Sequence, residues 1–182
     1  MIINKTPLKD CYSIEPRVFH DERGYFYEQF NEQIFQAETK LNVKFVQDNV
    51  SESKFGVIRG LHYQQGIHSQ AKLVTVLEGE VLDVAIDLRK TSPSFGKQFS
   101  ILLTSENKKQ LFVPKGFAHG FSVLSKTARF FYKCDAYYNK ESETGIKYND
   151  ETLNIDWQLK DGEIIVNDKD KHLPDFKSAI YF

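Results

Sequence analysis

Residues 80–88, Glu-Val-Leu-Asp-Val-Ala-Ile-Asp-Leu, alternate with a period of two. In an extended chain Leu82, Val84, Ile86 and Leu88 fall on one face, and Val81, Asp83, Ala85 and Asp87 on the other. Outward from this stretch, runs rich in Val, Ile, Phe and Tyr occupy 24–30, 44–50, 57–64, 71–77, 98–103, 109–113, 120–124 and 128–134, and each reads as a strand. Glu78-Gly79 makes a tight turn into the central stretch, and Ser92-Pro93-Ser94 and Ser105-Glu106-Asn107 make longer ones. One segment reads as a helix: Asn31 suits its cap, Glu32 and Gln33 its first turn, and Ile34, Phe35 and Leu41 share a side. The last forty residues are less regular, with short extended segments around Gly145–Tyr148 and Ile164–Val166. Many short strands, frequent turns and few helices point to an antiparallel sandwich or barrel. With no repeat and no flexible linker, residues 1–182 are expected to form one all-β domain.

Composition narrows the function classes. The 24 Lys and Arg nearly balance 25 Asp and Glu and are scattered among them, which argues against a nucleic-acid or anionic-membrane partner. No run approaches the ~18 apolar residues of a membrane span. Asn4, Lys5, Lys9 and Asp10 stand where a signal peptide needs its apolar centre. A soluble, cytoplasmic chain is expected, with Cys11 and Cys134 reduced and packed as small apolar fillers.

Four groups of residues could carry chemistry. Arg59-Gly-Leu-His62-Tyr-Gln lies on a predicted strand, where alternation separates Arg59 from His62 unless a bulge at Gly60 lets them converge. Lys72 is the one charge in the apolar run Ala71 to Leu77, and an inward-facing ammonium is costly without a task. Val113-Pro-Lys-Gly-Phe-Ala-His119-Gly-Phe121 makes a sharp turn before His119 returns among aromatics. Tyr132, Tyr137 and Tyr138 cluster near Lys133 and Asp135, and Asp168-Lys-Asp170-Lys-His172 is a mixed charge run near the C-terminus. Read alone, the tyrosines suit a core and the charge run suits a solvated loop.

Pro114-x-Gly116-x-x-His119 is the second half of a cupin metal motif, but the first half is broken. Gln64 stands two residues after His62, and Lys72 takes the place of a third ligand. A protonated lysine repels a divalent ion, so no metal site is expected.

The ordered series formed by these motifs resembles the dTDP-4-dehydrorhamnose 3,5-epimerase family. It comprises Arg59 to Gln64, Lys72 with the following Leu-Val-Thr-Val-Leu-Glu-Gly-Glu, Asp83 to Arg89, Val113 to Phe121 and Tyr132-Lys-Cys134 with Tyr137-Tyr138. Gly145-Ile146 with Asn149-Asp150, Ile155-Asp-Trp157 and Lys169-Asp170 complete it, so that the likeness runs from about Pro16 to Pro174. Two positions depart from the family pattern: the chain reads Val166-Asn167-Asp168 before Lys169-Asp170, where a serine two or three residues ahead of that pair is usual, and Tyr148 stands where a tryptophan is common.

The resemblance implies a metal-free cupin-type jelly roll (double-stranded β-helix), no cofactor, a homodimer, and a dTDP-linked 4-keto-6-deoxyhexose as substrate. It also implies His62 as base with Asp170 as its carboxylate partner, Asp168 being the competing candidate. Lys72 would sit at the enolate oxygen and Tyr132 would be the acid. Arg59 and Arg23 would contact pyrophosphate, and Phe19, Glu28, Gln47, Asn49, His119 and Tyr138 would line the nucleotide and sugar pocket, some of them from a partner chain. Readings weighed beside this one are epimerisation at C3 alone, a sugar ketoisomerase, a metal-dependent oxygenase, and a sugar-nucleotide-binding module without catalysis.

Overall fold

A computed structural model describes residues 1–182. Two antiparallel sheets face each other. The six-stranded sheet runs in the order β1 (Ile2–Lys5), β2 (Tyr12–Glu15), β10 (Gln110–Val113), β7 (Lys72–Glu78), β12 (Thr127–Cys134), β5 (Gln47–Lys54). The five-stranded sheet runs β13 (Glu143–Gly145), β6 (Ile58–Gln64), β11 (Phe117–Val123), β8 (Glu80–Asp87), β9 (Gln98–Thr104). From β5 to β13 successive strands lie in opposite sheets except for the β8–β9 hairpin, which makes the antiparallel sandwich expected from the alternation into the jelly roll that the resemblance implied. A separate hairpin pairs β3 (Val18–Asp21) with β4 (Gly24–Tyr27). The helix α1 (Glu32–Thr39) forms where expected, with Asn31 accepting the Ile34 N–H, and a one-turn helix α2 (Asp168–Lys171) carries the C-terminal charge run.

Strand β8 is buried on both faces. Val81 and Ala85 pack between the sheets with Val74, Phe121 and Phe130. Leu82, Val84, Ile86 and Leu88 pack outward beneath Leu153, Trp157 and Ala179, so the irregular C-terminal third is a cover over the five-stranded sheet. The outer side of the six-stranded sheet is covered in turn by α1, whose Phe35 seats against Phe112, Leu73 and Ile14. Such double burial is why strands of an antiparallel sheet here read as nearly continuous apolar runs.

Several strands differ from their expected bounds: the run at 24–30 ends at Tyr27, the run at 120–124 begins at Phe117, and the run at 44–50 begins at Gln47 and continues to Lys54. As an edge strand with one face in solvent it is built from Gln, Asp, Asn, Ser, Glu and Lys, which hides it from a search for apolar alternation.

Candidate active site

Pairing register fixes which side chains face the space between the sheets. On β7 and β12, Val74 and Phe130 are interior, so Lys72 and Tyr132, two residues away on their strands, face inward too. On β5 the partners of Phe130, Tyr132 and Cys134 are Ser51, Asn49 and Gln47, which line up on the same side. On β11 His119 pairs with Ala85 of β8 and with His62 of β6. The β6–β11 register shifts between His119 and Phe121, which is the bulge expected at Gly60 and brings Arg59 and His62 to one cavity. Gly60 has φ +121°, and a Cβ there would lie 2.6 Å from the Gly120 Cα, so neither strand tolerates a side chain at this crossing.

The cavity holds about 230 Å³ and is lined by Arg59, His62, Lys72, His119, Tyr132 and Glu143, with Ser51 and the rings of Phe121 and Phe130. Phe121 and Phe130 stack at 4.2 Å beneath it, and Phe130 also contacts His119 and Tyr132, making a rigid aromatic floor. The adjoining recess shares His62, Lys72, Tyr132 and Glu143 and reaches Tyr138 and Gln70.

His62 and Asp170 are 2.7 Å apart, Nε2 to Oδ1. Asp170 is wholly buried at α2 and also accepts the Gly60 N–H, whereas Asp168 is exposed and pairs with Lys171. Burial works to raise the Asp170 carboxyl, but the His62 hydrogen bond and charge, the Gly60 N–H and Lys169 outweigh it and hold it below the usual carboxylate range. Asp170 therefore takes Nε2–H and leaves His62 Nδ1 free to accept a proton from the cavity.

Lys72 makes no hydrogen bond, and no buried side-chain nitrogen lacks a partner, so its Nζ opens onto the cavity. Burial pulls its ammonium below the ordinary lysine value, against the opposing pull of Cys134, Asp83 and Glu143. Burial likewise pushes the Tyr132 phenol up, so it keeps its proton at neutral pH. Arg59 donates Nε–H to the Ser53 hydroxyl at 3.0 Å, which leaves much of its fork toward the cavity mouth. His119 is held through Nε2 by both oxygens of the buried Asp83.

At the rim, Gln47 accepts the Tyr138 N–H and donates to Asn49. The Tyr138 hydroxyl donates to Glu143, which also pairs with Lys169. Glu143 was not singled out from the sequence, and Lys169 was named only within the Lys169-Asp170 motif, without a role at the site. Glu143 sits in a polar stretch that reads as loop, and only its pairing beside His62 reveals it. Phe19, Arg23 and Glu28 do not line this cavity. They lie on the β3–β4 hairpin and just after it, where Arg23 is 85% exposed and paired with Asp21, Phe19 is half exposed, and Glu28 accepts from Asn31. No three His, Cys, Asp or Glu side chains converge as a metal-binding group.

Residues 5–178 match the family model of dTDP-4-dehydrorhamnose 3,5-epimerase. The chain is 48% identical over 182 residues to the Shigella flexneri dTDP-4-dehydrorhamnose 3,5-epimerase, covering all of this chain and 99% of that one. Its fold superimposes with a TM-score of 0.96 on the crystal structure of the Elizabethkingia anophelis NUHP1 enzyme of the same name, at 58% identity over 100% of this chain and 99% of that one. It also superimposes, with a TM-score of 0.93, on dTDP-6-deoxy-D-glucose-3,5-epimerase from Legionella pneumophila Philadelphia 1 in complex with dTDP-4-keto-L-rhamnose. There the identity is 46%, over 97% of this chain and 93% of that one.

Proposed function

The chain belongs to the dTDP-4-dehydrorhamnose 3,5-epimerase family, and from that premise we propose that it inverts C3 and C5 of dTDP-4-dehydro-6-deoxy-D-glucose to give dTDP-4-dehydro-L-rhamnose for deoxysugar biosynthesis. The observation that carries this reading is the origin of the reactive groups. His62 comes from the five-stranded sheet, and Tyr132 and Lys72 come from the six-stranded sheet across one cavity. A sugar ring lying between the sheets has a base on one face and an acid on the other.

The C3 and C5 protons both flank the C4 ketone, so their loss leaves an enolate rather than a bare carbanion. His62 Nδ1 takes the proton, and Asp170 supports the imidazolium that forms. The electron pair moves onto O4, where the Lys72 ammonium receives it in a site shielded from water. Tyr132 then returns a proton from the opposite face, and solvent resets both groups before the second carbon reacts. Arg59 takes pyrophosphate oxygens with its guanidinium fork. His119, Gln47, Asn49 and Tyr138 bound the sugar and nucleotide pocket.

Phe19, Arg23 and Glu28 are assigned to the site of a second copy in a homodimer. Support comes from the hairpin, which carries Phe19, Tyr25 and Phe26 into solvent beside Arg23, whose one ion-pair partner is Asp21 on the same turn. We read residues 1–182 as one catalytic domain working in the cytoplasm, in keeping with two free, buried cysteines. No helix is long and apolar enough to cross a membrane. Coupling the reaction to a 4-ketoreductase with NADPH tests the assignment. The trapped product should have the L-rhamnose configuration, and a product inverted at C3 alone would reduce the function to single epimerisation.

A further inference from the structure

Four aspartates are essentially buried, and three are richly supported. Asp87 receives Arg89, Ser92 and Ser94. Asp150 receives three backbone N–H groups, and Asp170 receives His62 and a backbone N–H. Asp83 is different. Both its oxygens, at 3.0 and 2.9 Å, share the single Nε2 of His119, and it has no other hydrogen-bond partner. A buried carboxylate with one donor is a poor structural element, because desolvation is barely offset.

Its surroundings give it another role. Asp83 projects from β8 into the interior beneath the cavity, and its charge acts on Lys72. The other titratable groups acting on Lys72 are Cys134 of β12 and Glu143 of β13, with His62, His119 and Tyr132 completing the walls. Glu143 is already engaged by Lys169 and Tyr138, and the Cys134 thiol is pushed up to about 11 by burial, so it is neutral at physiological pH. That leaves Asp83 as the anion not neutralised by another lysine or arginine. The Nδ1 of His119 has no partner and, like Lys72 Nζ, opens onto the cavity.

We propose that Asp83 is a positioning residue of the reaction: from below the cavity it fixes the ring and tautomer of His119 and supplies the buried negative charge against which Lys72 works. Asp83 does not touch the substrate. It acts through two groups that do on the functional reading given above, on which the proposal rests. With Nε2–H committed to Asp83, His119 always presents Nδ1 to the sugar. With a carboxylate nearby, Lys72 keeps its proton further into the alkaline range than burial alone would allow.

Asp83→Asn keeps the shape and one acceptor for Nε2–H but removes the charge. Its kcat at neutral pH should fall on the order of 10²-fold with KM changed less than about threefold. The alkaline limb of its pH–rate profile should move down by about one unit. A variant with wild-type kcat and an unmoved alkaline limb would overturn the proposal, as would loss of kcat with no shift of the limb in a variant that melts far below wild type. The wild-type protein supplies a test independent of the variant's folding. With ¹⁵N-histidine labelling, the His119 signal should show a proton on Nε2, and a proton on Nδ1 alone contradicts the assignment. If the wild-type protein does not turn over the dTDP-sugar, the functional reading fails, while the tautomer measurement still decides whether Asp83 orients His119.

Discussion

At the scale of single residues, the chemistry reduces to which nitrogen or oxygen holds a proton. On the proposed mechanism His62 is the base, with Asp170 taking Nε2–H at 2.7 Å, so His62→Ala should abolish turnover while dTDP affinity, measured by calorimetry, changes only a few fold. Retained turnover would remove His62 from the mechanism. Lys72 must be an ammonium to receive an enolate, and burial sets its loss of proton below the ordinary lysine value of 10.5. The rate should therefore decline on the alkaline side before that pH, and Lys72→Met should remove this limb together with most of kcat. A rate that stays flat through pH 10.5 would contradict the role.

At the scale of elements, the β6–β11 crossing is the part of the fold that makes the site. Gly60 and Gly120 touch there, and the shifted register places Arg59 and His62 in the same cavity. Gly60→Ala should cost roughly 2–5 kcal/mol, combining a strained positive φ with backbone overlap, and should appear as a drop in denaturant midpoint. An unchanged midpoint would mean that the strands part without penalty. Much of this was legible in the sequence, because Arg-Gly-Leu-His and His-Gly-Phe carry both the glycines and the ligand-facing residues. Strands β6, β7, β8, β10 and β11 were readable since burial on both faces makes them nearly continuously apolar. Strands β9 and β12 were readable because their Phe, Ile, Leu and Tyr residues remain dense despite partly exposed faces. The short β1, β2 and β13 and the polar edge strand β5 were hidden or displaced, having few apolar residues to reveal a period. Glu143 escaped for a related reason, and Lys169 was seen only as part of a motif: a charged side chain in a polar segment carries no signal of its role until pairing brings Glu143 beside His62 and Lys169 onto Glu143. The hairpin residues Phe19, Arg23 and Glu28 were named only through the family resemblance, and a single chain leaves them outside its cavity.

At the scale of the whole molecule, buried carboxylates tie stability to pH. Asp170, Glu143 and Asp87 are each held below the usual range by hydrogen bonds and cationic or imidazole neighbours that outweigh burial. At mildly acidic pH the unfolded chain binds these protons first, so the stability they contribute is complete above the ordinary carboxylate values and is lost as pH falls through the depressed ones. Thermal melts should be nearly level from pH 7 to about 5 and fall steeply by about pH 3, and a flat profile would deny these contacts their share. The central claim is that one cavity between two sheets enolises the sugar on both sides of its ketone. Incubating the protein with dTDP-4-keto-6-deoxyglucose in deuterated water and following the ring protons by NMR tests it most directly. Deuterium at both C3 and C5 is the expected result, and label at C3 alone, or at neither carbon, would contradict it.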